Sequence, residues 1–447
     1  MKITLLMVGL LLPVMAVPQE KVINRFTLEE CIEYALIHNE EYLNAGLEAR
    51  AQETFVGEVL SDGLPQVSGE INMINNFRVQ TSFIPAIFFD PNAGDNEFVP
   101  VQFQTQYNGG ASVTFSQLIL DGTYFLGLKA ARTFTQLSAK DFLKSKIDLK
   151  ADVSKAYYSV LVFKEGLELI KNNYQRIDTL LKETQLLFEN GFAEKMDINR
   201  LKVEHNNLKT EMENMERSLI ASYLVLKFQV SMPDEEELIL TEDLSQITFD
   251  LNPEDVSQFT YEDRIEYSTL NTSLELAHMD LKNIRLGYLP KLDGFATFGA
   301  NAGTGSWGDL FAVGDNWFTY GFYGFSLSVP VFDGFRKSNQ MQKRKIIINQ
   351  RENQKQRLEK AIDMEISTAR ISLQNSVARM GTQKENMGLA EEVFEISRAK
   401  YQQGLGSNLE VIEAENTFKT SQTNYYNALY EALVAKIDYQ KALGKLN

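Results

Sequence analysis

One cysteine, Cys31, is all the sequence holds in 447 residues, so no intramolecular disulfide can form. It stands among apolar positions of a predicted helix and reads as a small buried hydrophobe. Histidine is nearly as scarce. His38, His205 and His278 are the only three, and none lies three or four residues from another or from the cysteine. The helical spacings that hold a transition metal are therefore missing, and no structural metal site is expected. G-x-S-x-G, P-loop and dinucleotide motifs are absent too. Carboxylates are plentiful but fall at helical spacings among basic residues, as solvated faces do. The chain is not read as an enzyme, and no cofactor is assigned. Lysine and arginine number 44 against 60 aspartates and glutamates, a net charge of -16, which argues against nucleic acid or anionic headgroups as the main partner. No apolar run after the N-terminus reaches the roughly 18 residues that a spanning helix needs.

The first residues set the expected compartment. Lys2 supplies a positive charge, Leu5 to Leu12 form a short apolar run, and Val14-Met15-Ala16 offers a small-residue cleavage site before Val17. Residues 1–16 read as a secretory signal peptide without a lipidation cysteine. An exported chain with no spanning helix is either soluble or crosses a membrane as a β-barrel, the other architecture that satisfies its backbone in lipid.

Proline is the next scarcity, and it leads to what the chain does contain. Two stretches of about 70 residues, Gly122 to Asn190 and Gly334 to Gln403, contain none, so nothing in them breaks a helix. Each carries an apolar stripe with a period of seven. Val153, Val160, Leu167, Tyr174, Leu181 and Phe188 run into Gly191; Ile366, Leu373, Met380, Met387, Phe394 and Tyr401 run into Gly404, 213 residues further on. A strict heptad keeps one side of a helix against a neighbour, as in a coiled coil. Its recurrence at one offset, with a Gly at each end, marks an internal duplication built on long helical hairpins. At about 1.5 Å per residue each rod would extend about 100 Å.

The two halves match element by element. After the signal come helices over 17–64, ending in Leu64-Pro65; their counterpart over 261–289 ends in Leu289-Pro290. Strand-like text follows each proline, and a second strand returns from Tyr107 and from Trp317, giving hairpins over 65–120 and 290–332. The loop from Arg78 to Gln106 reads as long and irregular. Both return strands end in Asp-Gly, at Asp121-Gly122 and Asp333-Gly334, where the long helical hairpins of 121–233 and 333–447 begin. Residues 234–260 are left as a linker. In the return strands Ala111, Val113 and Phe115 alternate with Ser112, Thr114 and Ser116, and Phe325, Leu327 and Val329 with Ser326 and Ser328. The phase of the second strand slips near Gly324. Aromatics from Trp317 to Tyr323 crowd its loop-side end, as an interfacial girdle would. A soluble sheet with one buried side shows the same alternation. Four strands cannot close a barrel, so a membrane reading requires further copies of the chain. An exported coiled-coil scaffold or adhesin without a pore shares the heptads but accounts for neither the hairpins nor their aromatics.

The helix tips, LLFENGFAEKMDINRLKVE and AKYQQGLGSNLEVIEAENTF, share a pattern: an aromatic, two residues, Gly, an apolar residue, and an acid six after the Gly. The sets are Phe188, Gly191, Phe192, Asp197 and Tyr401, Gly404, Leu405, Glu410. With the opening FTLEECIEYALIHN, the two Leu-Pro and the two Asp-Gly, the chain resembles the TolC-like outer-membrane efflux protein family over nearly all its length after the signal. The resemblance implies an α+β membrane protein: duplicated long α-helical hairpins forming a coiled-coil α-barrel in the periplasm, plus four transmembrane β-strands per chain in a trimeric twelve-stranded outer-membrane barrel. It also implies an equatorial region, here about 234–261 with the C-terminus. The expected function is a passive conduit of a tripartite efflux or type I secretion system. Its partners would be two further copies of the chain, a periplasmic adaptor protein, an inner-membrane RND or ABC transporter, and outer-membrane lipid. The tips Gly191, Phe192, Ala193 and Gly404, Leu405, Gly406, Ser407 would dock the adaptor. Glu410 and Glu413 match positions whose carboxylates ring the tunnel entrance, with Asp197 their counterpart in the first repeat. Gly406 stands where a basic clasp residue can occur, so any gate is held closed differently here.

Overall fold

The computed structural model describes residues 23–244, 259–312, 314 and 316–446. The expected signal peptide and most of the expected linker lie outside them. The chain divides into two compact units, Met1–Ala45 with Phe142–Ile265 and Lys360–Asn447, and Gly46–Asp141 with Glu266–Glu359.

The first unit is helical. It holds α1 (Leu28–His38), most of the 68-residue α3 (Gly122–Glu189), α4 (Lys195–Val230), most of the 67-residue α6 (Arg336–Gln402) and α7 (Asn408–Ala442). A short parallel pair, β1 (Ile23–Phe26) with β6 (Glu237–Leu240), adjoins the helices. The heptad stripe is the packing seam. Val153, Val160 and Leu373 are fully buried, Leu167, Ile366 and Phe394 nearly so, while Phe188, in the last turn, is exposed. Two apolar clusters result. One gathers Cys31, Ala35, Tyr157 and Val160 with Leu226, Leu240 and Leu433. The other gathers Ile177, Leu180, Leu201 and Leu208 with Phe394, Val411 and Phe418. Cys31 is buried as its sequence context predicts. His205 lies 3.4 Å from Asp178 and packs on the Tyr174 ring, which places it on the helix seam.

The second unit is a sheet with the helical segments that flank it: α2 (Glu40–Ser61), the first part of α3, α5 (Ile265–Leu286) and the first part of α6. The helical text before Pro65 is two helices, because Asn39 adopts an extended backbone and its side chain accepts the Tyr42 N–H that opens α2. The sheet is antiparallel in the order β2 (Gln66–Asn75), β5 (Tyr107–Leu120), β7 (Lys291–Thr304), β8 (Trp317–Ser328). Strands β2 and β8 are its edges.

Register decides the faces. Val67, Val113 and Phe298 belong to one face together with Phe115, Tyr323 and Phe325, and most of these apolar side chains are exposed. Ser112, Thr114 and Ser116 share the other with Ser68 and Thr297. The expected slip near Gly324 does not occur: β7 and β8 pair without interruption from Lys291 and Ser328 to Ala302 and Trp317. The pattern breaks because Tyr320 and Phe322 stack on the hydroxyl-bearing face, and Gly324 leaves room there for the Phe295 ring. The loop after β2 is more regular than its text suggests, since β3 (Ser82–Pro85) and β4 (Phe98–Val101) form a small hairpin inside it. At the loop-side end of the sheet Trp317 Nε1 donates to the Leu310 carbonyl at 2.9 Å, and Trp307 packs edge-on to Tyr107 and Phe311.

The seam is directly testable. Leu201 is fully buried where α3, α4, α6 and α7 meet, so Leu201→Asp places an unpaired charge in an apolar cluster and costs several kcal/mol. We expect a large fall in melting temperature; unchanged thermal unfolding by circular dichroism would contradict this packing.

Candidate functional site

The hairpin tips are built alike from local rules. At the first, Gly191 takes φ +82° and donates its N–H to Phe188 O at 2.9 Å, while Phe192 N–H reaches Leu187 O at 2.8 Å. At the second, Gly404 takes φ +74° and donates to Tyr401 O at 2.9 Å, and Leu405 N–H reaches Lys400 O at 2.9 Å. This pair of bonds, closed by a left-handed residue, is the Schellman ending of a helix, and glycine adopts that backbone without strain. The residue after each glycine then points outward, leaving Phe192 81% and Leu405 77% exposed. Two residues further on the next helix is capped. Ser407 Oγ accepts the Glu410 N–H at 3.3 Å, and Asp197 Oδ2 accepts the Glu194 N–H at 3.2 Å. Ser407 therefore has a structural duty beside any contact it makes. Gly406 is crowded too: a Cβ there would stand 3.1 Å from Lys400 Cβ, so a basic residue at this backbone requires its neighbour to give by a few tenths of an ångström.

The three expected entrance acids are not equivalent. Glu410 and Glu413 are exposed and lie together on the α7 wall of a groove of about 730 Å³, opposite Leu389, Val393 and Ser397 of α6. Asp197 belongs to the other hairpin, is half-buried, and is occupied by its cap and by Arg200 at 3.9 Å. It shares the repeat position of Glu410 without sharing its freedom.

Behind the tips lies a buried polar network that the heptad reading passes over. Arg176 of α3 donates to Glu415 Oε1 of α7 at 3.2 Å and also bonds Asn173, whose Nδ2 donates to Gln422 Oε1 at 3.2 Å. The guanidinium lies over the Phe394 and Phe418 rings, 5.3 and 5.5 Å from their centroids. Lys419 completes the set, 3.5 Å from Glu204 and 3.3 Å from Glu211 of α4. Burial pushes the Glu415 carboxyl above its ordinary range, and Arg176 draws it only part of the way back. The signal was present in the text. Asn408, Glu415 and Gln422 form a polar stripe of period seven, and all three are buried.

Residues 271–445 match the family described as outer membrane efflux protein. Among characterised proteins, the chain is 18% identical over 346 residues to the outer membrane protein TolC of Vibrio cholerae, covering 75% of this chain and 77% of that one. Among solved structures it is similar to the outer membrane protein VceC of Vibrio cholerae, with a TM-score of 0.70 and 17% identity over 93% of this chain and 96% of the other. It is similar also to the CmeC outer membrane channel of Campylobacter jejuni, with a TM-score of 0.72 and 15% identity over 94% and 85%. At these identities the structures establish a shared fold.

The network carries a pH prediction. A carboxyl whose folded pKa is raised holds its proton in the folded state after the unfolded chain has released it. Its contribution is thus fully present below the unfolded pKa and is lost as pH rises through the folded one. Glu415→Gln removes that loss, so the melting temperature of the variant relative to wild type should rise between pH 4 and pH 8 (about the span that brackets a raised carboxyl). A pH-independent difference would show that Glu415 is not held in this way.

Proposed function

We propose, from the match of residues 271–445 to the outer membrane efflux protein family and the TolC-like fold, that the chain is the outer-membrane channel of a tripartite export system. Three copies share one barrel to which each gives β2, β5, β7 and β8, and their helical hairpins form the tunnel on the periplasmic side. The observation that carries this reading is the four-stranded sheet with apolar side chains exposed on one face and two open edges, β2 and β8. In lipid those edges leave backbone N–H and C=O groups without partners, and only closure by further copies supplies them. Native mass spectrometry in detergent should return a trimer, and a stable membrane-inserted monomer would overturn the proposal.

A conduit of this kind performs no chemistry. Substrates are delivered by an inner-membrane pump through a periplasmic adaptor, and the tips are where the adaptor meets the channel. Phe192 and Leu405 support this role, being large apolar side chains held outward at matching positions by backbone geometry. Polar replacements at both should abolish export while trimer yield stays unchanged; loss of both together would make them structural residues. Glu410 and Glu413 add a negative field at the mouth, and hard oxygen ligands of this type bind multivalent cations. Single channels in planar bilayers should be cation-selective and blocked by multivalent cations from the periplasmic side. Glu410→Ala with Glu413→Ala should relieve the block and lower the selectivity, and a double variant that blocks like wild type would remove these acids from the mouth.

A further inference from the structure

The sheet carries aromatic rings on both faces, and lipid accounts for only one set. Register assigns Phe295, Phe318, Tyr320 and Phe322 to the face of Ser68, Ser112, Thr114 and Thr297, opposite that of Val113, Phe298 and Phe325. In the barrel proposed above, this hydroxyl-bearing face lines the aqueous interior, where large apolar side chains meet no lipid. Phe318 is nevertheless 73% exposed there and Phe322 54%. Phe318, Tyr320 and Phe322 stand at alternate positions of β8, so they form one file along the strand. Tyr320 and Phe322 lie nearly parallel, their centroids 6.2 Å apart and their planes 16° apart. Phe295 of β7 meets Phe322 edge-on at 6.2 Å.

Glycines seat these rings. Gly299 lies directly across from Tyr320, and a Cβ there would stand 2.8 Å from that ring and 2.7 Å from the Ala111 carbonyl oxygen. Gly324 lies across from Phe295, and a Cβ there would stand 3.1 Å from that ring. Bare backbone is therefore kept beneath two of the rings. Charge on this face is sparse. The charged side chains of the four strands are Glu70, Lys291 and Asp293, and all three fall on it. Lys291 and Asp293 pair at 3.6 Å, whereas Glu70 is exposed and has no ion-pair partner among the described residues. The wall is left with one uncompensated carboxylate.

We infer that β8 carries a binding track for planar aromatic cations inside the barrel, built from Phe318, Tyr320 and Phe322. Exposed rings stack flat π-systems, and the negative face of each ring attracts positive charge. Glu70 gives the same wall its excess negative charge, which complements a cation and repels an anion. Alternate residues of a strand are about 6.8 Å apart, so a polycyclic solute can touch two rings at once and pass along the file. The inference rests on the channel reading and gives it a class of solute.

The test titrates ethidium, a planar cation, into the full-length protein in detergent and reads fluorescence anisotropy. Glu410→Ala with Glu413→Ala is the parent for every variant, so the tunnel acids contribute nothing. Tyr320→Ala with Phe322→Ala should weaken binding at least about tenfold. Phe298→Ala, on the opposite face, should leave it unchanged. Phe318→Ala should weaken it several-fold, and its ring contacts no other ring among the described residues, so it serves if the double variant does not assemble. Tetraethylammonium, a cation without a flat face, and pyrenesulfonate, a flat anion, should each displace ethidium at least about tenfold less well than proflavine, a second planar cation. Native mass spectrometry of the same samples separates the two readings. Trimers whose ethidium binding is unchanged by loss of the rings, or that either control displaces as well as proflavine does, overturn the track while the channel stands. Monomers alone overturn the channel and the track with it.

Discussion

A helix whose apolar residues recur every seven positions must find a neighbour along its whole length, and the rest of this molecule is arranged around that requirement. One such helix of 68 residues and another of 67 exceed what any single neighbour in the chain provides, since α4 has 36 residues and α7 has 35. Each long helix is therefore covered in instalments. The far part packs with α4 or α7 beyond the tip, and the near part belongs to the unit that holds the sheet, with α2 and α5. Along the two long helices the boundary between the units falls at Asp141 and Phe142 and at Glu359 and Lys360. Helix propensity contributes little to this arrangement. Continuous burial of the seam supplies most of it.

Inside that apolar regime the Arg176–Glu415 network is an expensive choice. Both groups lose water, and a hydrophobic pair of the same volume would often be as stable or better. What the network offers is selectivity among registers. A helix sliding by one heptad keeps its apolar contacts but carries Glu415 away from Arg176 and Gln422 away from Asn173. Coiled coils are prone to that error, and a single buried polar position is a known remedy for it. The second hairpin lacks the device: Leu389 stands where Arg176 would be, and Thr417 where Glu204 would be. Duplication kept the backbone and the tips but let the buried chemistry of the two halves diverge.

Much of the fold was legible because its signals are long and local. Heptads, proline-free stretches, Leu-Pro and Asp-Gly pairs each report on their own neighbourhood, and they pointed to the long helices, the four strands of the larger sheet and both tips, but not to β1, β3, β4 or β6. What escaped was set by partners distant in sequence or by the rotamer of a single side chain. The facing of Phe322 depends on Thr297, and its strand looked out of phase because a hydroxyl-bearing face also carries aromatics. The break at Asn39 depends on a side chain accepting one backbone N–H. The candidate acids were legible as a pair, Glu410 with Glu413, because three residues separate them on one helix face. That Asp197 is tied into a cap was not, since an acid at the third position of a helix serves equally as a cap or as a free charge until its rotamer is known.

The two tips have one backbone but different chemistry, and that difference sets the symmetry a partner can perceive. Phe192 answers Leu405, Ala193 answers Gly406, and Glu194 answers Ser407, so each copy offers one aromatic, acidic tip and one aliphatic, neutral tip. In the trimer proposed above, a protein that reads only the protruding apolar residue and the turn would meet six nearly identical handles. One that reads charge meets two alternating sets of three. If the tips dock a partner as proposed, its stoichiometry is written less in the proposed ring than in the unlikeness of Glu194 and Ser407.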